Sequence, residues 1–365
     1  MLASFVFWRI GAMKFLLKLL ICLTQFNLIP SALGDELRLD QGGKSMSNVP
    51  VHNQGDLGTC YAHTAAQGTD AFIHTYAKDN GNWHTSTTML GTEYRDTFFT
   101  RIFAIDGNIE GGLVCGSFRR SIKKKGACAE SNIEGMLDRM YSNVNPAYRV
   151  NRLFKDLTKS FEDTKKLARK VGENAYPQGA GILLQALMLE GGIASELPSA
   201  DELAVALKAR TNLQFAHTFF THLCEGPRVH VANAKCRDHH LWLRGKRGLQ
   251  KLIKDVQISL KKKNAQPVMM SYCGDVLVKG RTYRGLGNAI LDPIKTGLCG
   301  YHASAIIGLR EKDHTTQFLV RNSWGTGCYG YSADWDCENG NLWLDAEVLA
   351  RNMTDYHQMV NTGKR

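Results

Sequence analysis

Cysteine constrains this chain more than any other residue type. The 365 residues include 10 cysteines, and whether they can pair depends on the compartment in which the chain operates. From Met13 the sequence reads MKFLLKLLICLTQFNLIPSALG. This is a lysine-bearing start, an apolar run from Phe15 to Leu23, then Pro30 and small residues, the form of a secretory signal peptide. Ala32 and Gly34 place the expected cut after Gly34. The run is short against the ~20 residues of a spanning helix, so no stable membrane insertion is expected once the signal is removed. The mature chain is expected to be secreted, in a periplasm or outside the cell. Cys22 leaves with the signal, and an odd number of cysteines in an oxidising compartment leaves one thiol over. Eight of the rest fall into neighbouring pairs, 115/128, 224/236, 273/299 and 328/337. Cys60 stands alone.

A hydrophobic fraction of 44% with 22% charged residues describes a packed globular protein. The segment before Cys60, Asn48-Val-Pro-Val-His-Asn-Gln-Gly-Asp-Leu-Gly-Thr, is rich in turn residues and runs into an Ala-rich stretch that can continue as a helix to about Tyr76. Cys60 is therefore expected at a helix N-terminus, where unpaired N–H groups and the helix dipole lower a thiol pKa. Gln54, six residues earlier, can place an amide donor beside the sulfur for an oxyanion. A cysteine nucleophile also needs a base and a group that orients the base. His302 heads the apolar, strand-like run Ala303-Ser-Ala-Ile-Ile-Gly-Leu, and a second strand-like run from Gln317 ends in Asn322-Ser-Trp-Gly. Two antiparallel neighbours would bring Asn322 beside His302.

The order Gln, Cys, His, Asn, the six-residue step from Gln54 to Cys60 and the Asn-Ser-Trp-Gly run together resemble the papain-like cysteine peptidases. The resemblance implies an α+β fold of two lobes, a helical one carrying Cys60 and a β-rich one carrying His302 and Asn322, with the cleft between them. It implies Gln54 as the oxyanion-hole residue, Cys60 as nucleophile paired as thiolate with imidazolium His302, and Asn322 as the residue that orients the ring. Trp324 is similar to the tryptophan that shields the His–Asn hydrogen bond. Gly111 and Gly112, after Glu110, resemble a pair that binds substrate backbone, and Tyr301 is a further candidate cleft residue. The expected substrate is a protein or peptide, and no metal or organic cofactor is required. Two alternatives are an amidase acting on cell-wall peptides with the same Cys-His machinery and a non-catalytic binding protein on the same scaffold.

The chain departs from the family in several places. Leu57 stands where the family has a disulfide-bonded cysteine, and Tyr61 where it has tryptophan. Only 15 residues, Asp35 to Val49, lie between the expected cut and Pro50, too few for the inhibitory propeptide of many members. Cys60 and His302 lie 242 residues apart, against ~130–150 in the family. Residues 136–262 are the expected host of the excess, as a helical insertion. Val150, Leu153, Phe154, Leu157 and Phe161 recur at helical spacing, as do Leu249, Leu252, Ile253, Val256 and Leu260. Ser199 with Glu202 forms a capping box.

Seven side chains, His217, His222, Cys224, His230, Cys236, His239 and His240, crowd into one stretch. They show no zinc spacing, and a Cys224–Cys236 closure would account for both thiols. Removing Arg9, Lys14 and Lys18 with the signal lowers the net charge from +11 to +8. The basic runs at Arg119-Arg120 with Lys123 to Lys125, Arg244 to Arg247, and Lys261 to Lys263 are read first as solvated helix faces, with contact to an anionic surface as the alternative. No nucleic-acid motif accompanies them. Cys328 and Cys337 bracket an aromatic loop expected to border the primed side of the cleft.

Overall fold

A computed structural model describes residues 36–77, 82–96, 109–240, 246–283 and 299–363. The expected signal segment lies outside the described residues, as do Arg244 and Lys246 to Gly248 in their side chains or backbone. Helices and one antiparallel sheet make an α+β architecture. The strands are β1 (Leu37–Arg38), β2 (Ala234–His240), β3 (Val268–Cys273), β4 (Tyr301–Lys312), β5 (Thr315–Arg321), β6 (Asp336–Glu338), β7 (Asn341–Asp345) and β8 (Met353–Asn361). Their order is β2-β8-β3-β4-β5-β7-β6, with β1 added to β4 beyond the end of β3.

The run headed by His302 is the central strand β4, flanked by β3 and β5 and buried from His302 to Leu309. The β4–β5 hairpin turns at Asp313 and His314, both with positive φ (50° and 59°), which is the backbone hand that matches strand twist. Strand alternation then divides the core. Val268, Met270 and Tyr272 of β3 pack with the helices Lys246–Leu260 and Ala346–Asn352, whereas Met269 between them packs with the helix Cys60–Tyr76 on the other face. In chain order, the helices of seven or more residues are α1 (Cys60–Tyr76), α2 (Thr87–Arg95), α3 (Val114–Arg120), α4 (Glu130–Met140), α5 (Pro146–Val171), α6 (Ala175–Leu189), α7 (Ala200–Leu207), α8 (Asn212–Leu223), α9 (Lys246–Leu260) and α10 (Ala346–Asn352).

Helix α1 is buried from Tyr61 to Ile73. Its Ala62, Ala65, Ala66 and Gly68 are small enough to let the helix press on the sheet, and Gly68 abuts Met269 of β3. The helices α4 to α8 surround a core of their own. Leu153, Leu157 and Phe161 of α5 meet Leu183 and Leu187 of α6 and Phe215, Phe219 and Phe220 of α8. The apolar spacing read from the sequence is the face α5 buries, and that helix begins at an Asn145 cap followed by Pro146 and ends at Gly172 with φ 69°. The Ser199–Glu202 capping box forms at the start of α7. Residues 136–262 are not helical throughout. Ala234–His240 is a strand that pairs along its length with β8, and α9 packs on the sheet.

Two of the four expected cysteine pairs are present, Cys273–Cys299 and Cys328–Cys337. The other four cysteines pair across, as Cys115–Cys236 and Cys128–Cys224. Nearness in sequence misleads here because tertiary packing decides. Helix α3 lies against β2, which brings Cys115 to Cys236, and the end of α8 returns to the entrance of α4, which brings Cys224 to Cys128. Cys224 and Cys236 are thus not a pair, and each is consumed elsewhere. Four disulfides fit an oxidising compartment. No helix among the described residues is long and apolar enough to cross a membrane.

The Cys128–Cys224 bond closes a 96-residue separation around the α4–α8 core. The double variant Cys128→Ser/Cys224→Ser is expected to lose about 2–5 kcal/mol of stability, read by denaturant unfolding followed by circular dichroism. An unchanged midpoint would refute this bond.

Candidate active site

The β4–β5 register places the key side chains together. Ala305 pairs with Arg321, so Asn322, the next residue, comes opposite Ser304. His302 and Ser304, two residues apart on one strand, project to the same face. His302 Nε2 lies 2.6 Å from Asn322 Oδ1, and the Ser304 hydroxyl donates to the same oxygen at 3.1 Å. An amide oxygen can only accept, so Nε2 carries the ring proton and Nδ1 is the bare nitrogen available as a base. With its proton given to Asn322, Ser304 accepts from the Tyr272 hydroxyl at 3.0 Å. Tyr272 stands opposite His302 on β3. A Cβ on Gly274 would come within 2.7 Å of the His302 Cβ, so only glycine leaves room for the ring there.

Trp324 covers the pair, its ring 5.2 Å from that of His302. The Cys328–Cys337 loop supplies Tyr331, which stacks on Trp324 at 5.5 Å and accepts a 3.0 Å hydrogen bond from Asn322 Nδ2. Asn322 therefore has both ends of its amide fixed. Tyr331 lay inside the aromatic loop flagged in the sequence, but nothing in the sequence pointed from it to Asn322. Ser304 was legible through strand alternation from His302. Gly274 gave no signal.

Cys60 is the free cysteine among the described residues and opens α1, half-buried. The helix packs across β4, and the Ala303 backbone N–H, next to His302, reaches the sulfur. Burial raises the thiol pKa, and the N–H groups of Ala303, Tyr61 and Cys60 pull it down without cancelling that rise. The net direction is up, contrary to the expectation from the helix N-terminus alone. His302 moves the other way: burial pushes its pKa down to about 4, against a smaller raising effect of Asn322. Burial therefore disfavours the charged form of both side chains.

Gln54 sits beside the end of β5. Its backbone N–H donates to the Ser323 carbonyl at 2.8 Å, and its Oε1 accepts from the Ser323 hydroxyl at 2.6 Å. One Nε2 hydrogen goes to the Leu57 carbonyl at 2.7 Å, and Nε2 carries a second. The stretch leading to Gln54 is anchored on Arg321. That buried guanidinium donates to Asn341 Oδ1 at 3.0 Å, to Asp40 Oδ2 at 3.1 Å and to the Val49 carbonyl. The same strand end thus positions Asn322 and the turn that carries Gln54.

Gly111 and Gly112 lie exposed beside the turn before Cys60, and the Gly111 N–H donates to the Gly58 carbonyl at 2.9 Å. A Cβ on Gly112 would strike the Tyr94 and Tyr61 rings at 2.6 and 2.7 Å. With Leu57 at the usual cysteine position, the turn is fastened by Glu110, whose Oε1 accepts from the Gly58 N–H at 3.2 Å. Tyr61 is buried where tryptophan was expected, and its hydroxyl donates to the Ile109 carbonyl at 2.8 Å. Tyr301 is exposed next to His302. Two cations of the first basic run are paired at the surface, Arg119 with Asp238 at 2.8 Å and Lys125 3.5 Å from Glu93.

No family model matches the chain, and no curated protein matches it either. Solved structures do. The mite allergen structure described for Blo t 1 and Der p 1 is 14% identical, with a TM-score of 0.43 over 91% of this chain and 73% of that one. A digestive procathepsin L 3 from the larval midgut of Tenebrio molitor is 10% identical, with a TM-score of 0.42 over 91% and 71%. A clostridial cysteine protease, Cwp84, after propeptide cleavage is 14% identical, with a TM-score of 0.39 over 87% and 56%. The chain resembles papain-like cysteine peptidases in motif order and in its α+β architecture.

Because burial holds the Cys60 thiol above its ordinary value, thiolate is scarce at neutral pH and grows as pH rises. Carbamidomethylation of Cys60 by iodoacetamide, followed by peptide mapping, should therefore accelerate from pH 6 to pH 10. A rate already at its plateau at pH 5 would instead show a preformed thiolate and refute the neutral pair.

Proposed function

We propose that this chain is a secreted papain-like cysteine peptidase. The observation that carries the reading is the 2.6 Å bond from His302 to Asn322 under Trp324, on the strand whose next N–H, that of Ala303, faces the free Cys60 sulfur. Neutral His302 takes the Cys60 proton through Nδ1 as the sulfur attacks a peptide carbonyl, forming the S–C bond. The oxyanion accepts hydrogen bonds from the Cys60 N–H and the second Nε2 hydrogen of Gln54. The imidazolium then protonates the leaving amine, and the C–N bond breaks to leave a thioester. Water, deprotonated by His302, hydrolyses that thioester and restores the thiol. Asn322 holds the ring, and Tyr331 and Ser304 hold Asn322. Gly111 and Gly112 offer exposed backbone to an extended peptide, Tyr301 borders the cleft, and the helices within 136–262 form an insertion that enlarges the helical lobe. Export through the signal segment matches the four disulfides.

Hydrolysis of a fluorogenic peptide library tests the reading. Cys60→Ala should reduce turnover by at least about a thousandfold, and wild-type activity should fall below about pH 4 as His302 gains its proton. Undiminished peptide hydrolysis by Cys60→Ala, or wild-type protein that cleaves no peptide, would refute it. Tyr331→Phe keeps the stack on Trp324 but removes the acceptor for Asn322. It should lower kcat by about three- to tenfold, near 1 kcal/mol, with KM unchanged; an unchanged kcat would deny Tyr331 that positioning role.

A further inference from the structure

The sheet face that meets α1 carries a second polar group, at the same end of the sheet as Cys60. Ser271 of β3 pairs with Ala303 of β4 on one side and with Asp355 of β8 on the other. Paired residues on neighbouring strands project to one face, and the strands lie about 4.8 Å apart. Ser271 is thus one strand away from the residue whose N–H reaches the Cys60 sulfur. Its side chain shares a face with Met269, two residues earlier, and Met269, Ala303 and Cys60 belong to one cluster beneath α1. Ser271, Thr354, Asp355 and Asp238 are all partly exposed. The β3–β8 register shifts just after Ser271, which leaves Thr354 as an extra residue whose hydroxyl donates to the Ser271 carbonyl at 3.1 Å. Bulges of this kind re-aim side chains beside functional sites.

A chain of hydrogen bonds sets what the Ser271 hydroxyl offers. Arg119 reaches Asp238 Oδ2 at 2.8 Å, and Asp238 Oδ1 lies 2.9 Å from His357 Nδ1. The His357 bond, helped by that of Arg119, holds the Asp238 carboxyl down to about 2 against its burial. An ionised carboxylate only accepts, so Nδ1 of His357 carries a proton. His357 Nε2 lies 3.2 Å from Ser271 Oγ. In the neutral ring Nε2 is bare and takes the Ser271 proton, which leaves the lone pairs of the hydroxyl for a ligand. Asp355, on the same face, has its Oδ1 on His240 Nδ1. Its carboxylate adds negative charge beside Ser271 and opposes a ligand that is itself an anion.

We propose, resting on the peptidase reading above, that Ser271 is a specificity-determining residue that accepts a hydrogen bond from an amide-bearing substrate side chain, with His357 and Asp238 as its positioning residues. The probes are two sets of chloromethyl ketones, acetyl-Xaa-glycyl and acetyl-glycyl-Xaa, with glutamine, norleucine or glutamate as Xaa. Cys60 displaces the chloride, and the rate of its alkylation, followed by mass spectrometry, needs no turnover. In one of the two sets glutamine should react about five- to tenfold faster than norleucine, the effect of one hydrogen bond, and at least about tenfold faster than glutamate. In Ser271→Ala the glutamine-to-norleucine ratio should fall to within about twofold of one; a ratio is unaffected by a general loss of reactivity. Asp238→Asn no longer obliges Nδ1 to carry the proton, so Nε2 can donate to Ser271 and the hydroxyl can donate outward. The glutamate-to-norleucine ratio should then rise at least about threefold. Equal rates for glutamine and norleucine in both sets, a ratio undiminished in Ser271→Ala, or no alkylation of Cys60 by any probe would overturn the proposal, and an unmoved ratio in Asp238→Asn would overturn the positioning role. Glutamine-selective alkylation in a protein that hydrolyses no peptide would leave this subsite standing and the peptidase reading fallen. If Ser271→Ala does not fold, Ser271→Gly makes the comparison.

Discussion

The antiparallel pairing of β4 with β5 is the constraint on which the site depends. Its register sets Asn322 opposite Ser304 and within reach of His302, and a one-residue slip of β5 would turn Asn322 away from them. The register is held from both ends. At the far end, the turn at Asp313 and His314 fixes the hairpin length. At the near end, Arg321 is buried among Asp40, Asn341 and the Val49 carbonyl. That guanidinium also ties the chain's early segment to the sheet, so the strand that leads into Asn322 and the turn that holds Gln54 share one anchor. Helix α1 then brings Cys60 to the same strand, because its small residues permit close approach.

Much of this was legible in the sequence, and the misses share a cause. Helix α1, the strand behind His302, the amphipathic face of α5 and the capping box before α7 all follow from periodicity and end signals, which are local. The His302–Asn322 contact was legible because two apolar runs ending in marked residues suggested a hairpin. The disulfides Cys115–Cys236 and Cys128–Cys224 were not, since their partners meet only after α3 docks on β2 and α8 returns to α4. Strand β2 was hidden for a similar reason: Lys235, Arg237 and His239 give it a polar face, and its identity comes from pairing with β8. The Cys60 pKa direction was misjudged because the helix terminus is visible in sequence and the depth of burial is not.

A neutral thiol–imidazole pair is a coherent resting state for a site this enclosed. Separating charge inside a low-dielectric space costs more than hydrogen bonds from Ala303, Tyr61 and Cys60 return. On the peptidase reading proposed above, proton transfer would become favourable only as the sulfur forms its new bond and negative charge moves to the oxygen facing Gln54. Such a site would stabilise the reacting complex and leave the resting thiol quiet.

The loop that carries Tyr331 adds a consequence of a different kind. Tyr331 is pinned by a disulfide between residues only nine apart, and it grips Asn322 and Trp324 from outside the sheet. The short Cys328–Cys337 loop is therefore a covalent brace that keeps Tyr331 against Asn322, on the side of the amide that the sheet does not reach.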